Sequence, residues 1–160
     1  MKKLLLCLLL MGMCSMLGCK KNDTRKIEVG DSMFSVMETF GSYYIDLNAI
    51  TVFRDGSNYW VTVSNGYNVL GVVEFDANGK LVSSEGVIPI KDENIEQFYE
   101  KSIRDMEKQF GKIHCYTGSG IYKPTYITDH ATIIKMYVEK DVISSITSLD
   151  VITGITTDLR

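Results

Sequence analysis

His114-Cys115 is the one place in this 160-residue chain where a histidine adjoins a cysteine. A thiolate nucleophile needs its base delivered from elsewhere in the fold, and a third group to orient that base. Neighbours on a strand point to opposite faces, so the pair converges on neither a substrate nor a metal ion. Cys115 therefore reads as a small buried hydrophobe. The second histidine, His130, falls in the turn Asp129-His130 and reads as an exposed imidazole.

The paired carboxylates are Asp92/Glu93 and Glu74/Asp76. Glu74 and Asp76 share a strand face by period two, a spacing that suits acid–base work or a cation. Asp76-Ala77-Asn78-Gly79 also has the residues of a hairpin tip, where Asp and Asn serve the turn itself. The turn is the stronger reading, because the ligand spread and flanking helices of a calcium loop are missing. Gly118-Ser119-Gly120 leads into Ile121-Tyr122-Lys123-Pro124, which is extended. A phosphate cradle wants a helix there, and a nucleophile elbow wants G-x-S-x-G.

Aromatic side chains are the better clue to binding. On alternation, Tyr59, Val61 and Val63 share the core face, which puts Trp60 on the more polar one. Tyr137 alternates with Met136 and Val138, and Tyr122 and Tyr126 alternate with Lys123 and Thr125. Trp and Tyr on a polar sheet face are what protein-binding sites use as anchors. Trp60, Tyr122, Tyr126 and Tyr137 are thus the expected partner-binding residues. The alternative is that these rings pack against a loop or the other half.

The elements that must position them follow one plan used twice. Met33, Val36, Met37 and Phe40 form one helical stripe that Gly41 ends, with Asp31 or Ser32 as cap. Ile103, Met106 and Phe110 form a second that Gly111 ends, with Ser102 and Asp105 as a capping box. Ser32/Ser102, Met33/Ile103, Val36/Met106, Phe40/Phe110 and Gly41/Gly111 share one offset of 70, the mark of an internal duplication. Strands are expected over 59–64, 69–76 and 80–88, with Asn65-Gly66 and Asn78-Gly79 as turns. Strands over 121–128, 132–139 and 142–149 follow the second helix, and 92–100 is expected to be a further helix.

The amino-terminal stretch MKKLLLCLLLMGMCSMLGC has the charge–apolar–small layout of a secretory signal. Met16-Leu17-Gly18-Cys19 resembles a bacterial lipobox, which implies cleavage before Cys19 and a lipid on that residue. A plain secretory signal and a retained anchor are the alternatives. Loss of Cys7 and Cys14 with the leader leaves Cys115 without an intramolecular disulfide partner. Lys20, Lys21, Arg25 and Lys26 follow, either resting on anionic headgroups or forming a solvated tether. The formal net charge is −3, and no basic stripe exists to neutralise phosphates, which disfavours nucleic acid.

Ile27-Glu28-Val29-Gly30-Asp31-Ser32, running into the helix that Gly41 ends, resembles the opening of the β-lactamase-inhibitor-protein fold. The same unit occurs singly in the small lipoprotein of the outer-membrane assembly machinery. The resemblance covers most of Ile27–Gly154, and Gly118-Ser119-Gly120 and Tyr126-Ile127-Thr128 resemble short lipoproteins of gut Firmicutes. It implies an α+β fold of two tandem helix–antiparallel-sheet repeats, possibly one continuous sheet with both helices on one face. The divisions are then a leader at 1–18, a lipidated tether at 19–26, and repeats at 27–90 and 91–160. The expected function is non-enzymatic, with no cofactor: a membrane-anchored, outward-facing lipoprotein that binds an envelope or extracellular protein. A solute- or glycan-binding accessory lipoprotein is the alternative, and a hydrolase comes third, for want of a nucleophile–base pair.

Overall fold

A computed structural model describes residues 25–41, 44–46, 49–91, 94–117 and 123–160. The leader, Cys19, the tether up to residue 24, Asp92, Glu93, Gly118-Ser119-Gly120 and Tyr122 lie outside the described residues.

The chain is α+β. Helix α1 (Met33–Phe40) is followed by β1 (Tyr44–Asp46), β2 (Ile50–Asp55), β3 (Asn58–Ser64), β4 (Val69–Phe75) and β5 (Leu81–Glu85). These strands form one antiparallel meander in sequence order. A 3-10 turn (Ile95–Phe98) and helix α2 (Ile103–Phe110) precede β6 (Cys115–Thr117), β7 (Lys123–Ile127), β8 (Thr132–Glu139), β9 (Val142–Asp150) and β10 (Thr156–Asp158). They form the second five-stranded meander.

The halves are built alike down to the backbone. Gly41 and Gly111 both take positive φ and donate their N–H to the carbonyls of Met37 and Glu107, closing the helices. Ser32 bridges antiparallel to Asn68, and Ser102 to Val142, so the start of each helix borders the fourth strand of its own sheet. The caps differ. Ser102 Oγ accepts the Arg104 N–H at 3.2 Å, whereas Asp31 Oδ2 accepts the Glu28 N–H at 2.9 Å and holds the turn before α1.

The sheets pack face to face. Val52, Tyr59, Val61, Val63, Val73 and Phe75 of the first meet Cys115, Ile127, Ile133 and Leu149 of the second, with Val151 just past β9, in one shared core. The outer face of the first sheet, with Phe53, Trp60, Val69 and Val72, is covered by Met33, Val36 and Phe40 of α1. The outer face of the second, with Tyr126, Ile134, Met136 and Ile146, is covered by Ile95, Phe98, Ile103 and Met106. The layers run α1, first sheet, second sheet, α2. A continuous sheet with both helices on one side is therefore not formed. Each strand set has apolar residues on both faces, and four layers bury both.

Three expectations change in detail. Residues 95–98 form a 3-10 turn in place of a helix over 92–100. Strands β1, β2, β6 and β10 extend both meanders beyond the three expected in each half. Residues 86–88 leave the sheet, with Gly86 at φ 69° against the Leu70 carbonyl.

Candidate functional site

The outer face of the second sheet is only partly covered by its helical layer. Beside the 3-10 turn remains a groove of about 740 Å³, within the size range of binding sites. Thr132 and Ile134 of β8 and Ser148 and Asp150 of β9 line its floor. Asn94–Gln97 form one wall, and Thr153, Ile155, Thr157 and Leu159 the other. The alternation of β8, β9 and β10 puts Ile134, Ser148 and Thr157 on the same side of the sheet, because 134 pairs with 148 and 148 with 157.

Several polar groups here are already committed. Asp150 Oδ1 accepts the N–H groups of Ile152 and Thr153 at 2.9 and 2.7 Å, and the Thr153 hydroxyl at 3.0 Å. That carboxylate holds the β9–β10 turn. Glu96 and Arg160 form an ion pair at 3.2 Å. Ser148 Oγ donates to the Thr157 carbonyl at 3.4 Å. The hydroxyls of Thr132 and Thr157 and the amides of Asn94 and Gln97 complete the lining beside Ile134, Ile155 and Leu159. Among the described residues β10 is an edge strand of its sheet, and all three of its residues are exposed. Its outer edge offers main-chain donors and acceptors alongside the groove. A mostly polar floor around Ile134, walls that add Ile155 and Leu159, and a strand edge suit an extended segment of chain with mixed side chains.

Of the four aromatic residues expected to form one binding face, the three described ones, Trp60, Tyr126 and Tyr137, are not brought together. Trp60 is 5% exposed, with its ring centre 5.5 Å from that of Phe40. The polar-looking face of β3 is covered by α1, a layer that alternation on one strand does not reveal. The Trp60 indole N–H has no hydrogen-bond partner among the described residues. Tyr126 is fully buried in the other outer core, and its hydroxyl donates to the Gly111 carbonyl at 3.1 Å. It anchors the end of α2 to the sheet and is no surface group. Tyr122 lies outside the described residues. Among the three described, Tyr137 is the one placed outward, 37% exposed, with Lys123 Nζ 4.7 Å from its ring centre.

His114 and Cys115 part company. Cys115 is buried in the core between the sheets. The His114 ring packs edge-on against Tyr126 at 5.1 Å, and its Nδ1 accepts the Ile127 N–H at 2.9 Å. Burial pushes its pKa below the usual histidine value, opposed by a backbone hydrogen bond at Ile88. The ring is a neutral clip between backbone segments. His130 Nδ1 lies 2.7 Å from Asp129 Oδ1 in an exposed turn, with no described thiol or hydroxyl on its ring.

Glu74 and Asp76 serve the fold separately. Glu74 takes the Asn58 amide at 2.8 Å and the Ser83 hydroxyl at 3.0 Å, tying β3 and β5 to β4. Asp76 Oδ1 accepts the N–H groups of Asn78 and Lys80, and these bonds hold its pKa below the usual value. The hairpin-tip reading describes this geometry. The groove itself was missed. Its sequence signal was the Thr/Ser/Asp pattern of β9 and the Thr-rich tail, which reads equally well as a solvated edge.

Among the described residues, no group of three His, Cys, Asp or Glu is placed to hold a metal ion. No described helix is long and apolar enough to cross a membrane. Comparison with protein-family models, curated proteins and solved structures finds no match to this chain.

Proposed function

We propose that the chain is a non-enzymatic lipoprotein of the cell envelope, anchored outside the cytoplasm through Cys19, that binds an extended segment of a partner protein. The observation that carries this reading is the groove between the 3-10 turn and β10, where Ile134, Ile155 and Leu159 lie among polar residues beside the β10 strand edge. A segment lying there adds main-chain hydrogen bonds along β10 and buries its side chains against Ile134, Ile155 and Leu159. The lipobox-like Met16-Leu17-Gly18-Cys19 supports the anchor. The repeated order of helix, Gly stop and meander supports kinship with the β-lactamase-inhibitor-protein type of lipoprotein.

The partner surface in this proposal is the groove, in place of a face built on Trp60 and Tyr126. A glycan-binding role is the weaker reading, because none of the described lining residues is an aromatic ring on which a sugar could stack. The test is capture from detergent-solubilised envelope by the full chain and by a Thr157→Arg variant. Thr157 is exposed, so the variant blocks the groove without loss of core. One envelope protein retained by the parent chain and lost with the variant supports the reading. Equal retention by both sinks it.

A further inference from the structure

We propose that the outward side of α1, with the adjoining residues 67–70, is a membrane-docking face that turns the groove away from the bilayer. The inference rests on the lipid reading of Cys19 made above. Five large apolar side chains are exposed in this region: Val29, Phe34, Met37, Tyr67 and Leu70. Phe34 is 70% exposed and Tyr67 81%. Backbone pairing brings them together. Gly30 donates to the Val69 carbonyl, Val69 to that of Asp31, and Met33 to that of Tyr67, all at 2.8–2.9 Å. Helix α1 then continues from Met33 and carries Phe34 and Met37 one turn apart.

The length of the tether selects the occupant. From Cys19 to Arg25 the chain advances six residues, which span at most about 20 Å when fully extended. Arg25 is fastened to α1, because its Nη1 donates to the Thr39 carbonyl in the last turn at 3.2 Å. A lipid on Cys19 therefore stays within about 20 Å of Arg25, whose side chain reaches α1. Layers of helix and sheet stack at about 10 Å each, which puts the groove floor, on the far face of the second sheet, about 20 Å from α1 and the α2 layer about 30 Å from it. The tether brings the α1 side to the headgroups and leaves the groove side in water. In sequence, Lys20, Lys21, Arg25 and Lys26 fall between Cys19 and α1, and cations there favour anionic headgroups. A lipid alone fixes proximity. An apolar side that enters the headgroup layer also fixes orientation.

The test uses the full chain, produced in bacteria so that the leader is processed, and held in vesicles of phosphatidylcholine and phosphatidylglycerol. An environment-sensitive label is placed through Phe34→Cys or, on the groove rim, Ile155→Cys. Cys115 is buried and does not compete for the label. Lipid-borne quenchers are expected to reach the label at position 34 at least about threefold more than at 155, the contrast between a side in the headgroup layer and one in water. Equal quenching at the two positions, or stronger quenching at 155, overturns the docking face. The mass of the amino-terminal peptide is read on the same sample. An unacylated Cys19 overturns the lipid reading and the docking face with it. An acylated Cys19 with an unquenched label at 34 overturns the docking face alone.

Discussion

Phe40 of α1 lies against Trp60 of β3, ring centre to ring centre 5.5 Å apart, and also meets Phe53 at 6.3 Å. This contact makes the first outer core and removes Trp60 from the surface. It also leaves the indole N–H buried without a partner among the described residues.

Two substitutions at Trp60 separate volume from polarity. Trp60→Ala opens a cavity beneath α1 and is expected to cost about 3–5 kcal/mol. Trp60→Phe keeps most of the contact and removes the unpaired N–H, whose burial costs about 1–3 kcal/mol, so its net loss is about 1 kcal/mol or less. Urea denaturation of both variants checks the order. A Phe variant as unstable as the Ala variant would show that the N–H is satisfied.

Gly71 is a packing constraint on β4. A Cβ there would sit 2.4 Å from Val87 Cγ2. Gly71→Ala is expected to destabilise by about 1–3 kcal/mol, as overpacking does. Val87→Ala in the same chain removes the clashing methyl, so the double variant should lose less than the sum of the singles. Strict additivity in that cycle would contradict the contact.

His114 sets an acid limit on stability. Its folded pKa is depressed, so below about pH 6.5 the unfolded chain takes up the proton and the folded chain does not. The stability that His114 contributes is complete above that value and is lost as pH falls from it towards the lower folded pKa. Protonation also ends the acceptance of the Ile127 N–H by Nδ1. His114→Phe should lower stability at neutral pH, because that N–H loses its acceptor. It should also flatten the fall below about pH 6.5 relative to the parent chain. An unchanged slope would place the titration elsewhere.

Much of this fold is legible in the chain itself. The two stripes with their Gly stops mark α1 and α2 to within a residue, and Asn65-Gly66 and Asn78-Gly79 mark turns that are present. β2, which the expected strands leave out, has a signal of the same kind in Asp55-Gly56, with Gly56 at φ 59°. The binding side was harder to read. Trp60 and Tyr126 lie on strands whose alternation suggests one wet face, but a helix covers that face in each half. Alternation reports which residues share a side and says nothing of what lies over it. The groove depends on α2 and the 3-10 turn stopping short of β10, a matter of layer extent that no local pattern encodes.

Surface substitutions should divide by location. Thr157→Arg and Ile155→Glu, on the groove wall, are expected to weaken partner capture about tenfold or more, with thermal stability within about 0.5 kcal/mol of the parent. Tyr137→Ala, on the opposite face of the second sheet, should leave capture unchanged. The reverse pattern would return the binding surface to the Tyr137 face.

The most direct measurement is site-specific photo-crosslinking in living cells from Thr157, Tyr137 and Phe34 in turn. A single protein adduct from position 157, none from 137 and lipid adducts from 34 are the expected result. A protein adduct from 137 with none from 157 would contradict the groove as the binding site.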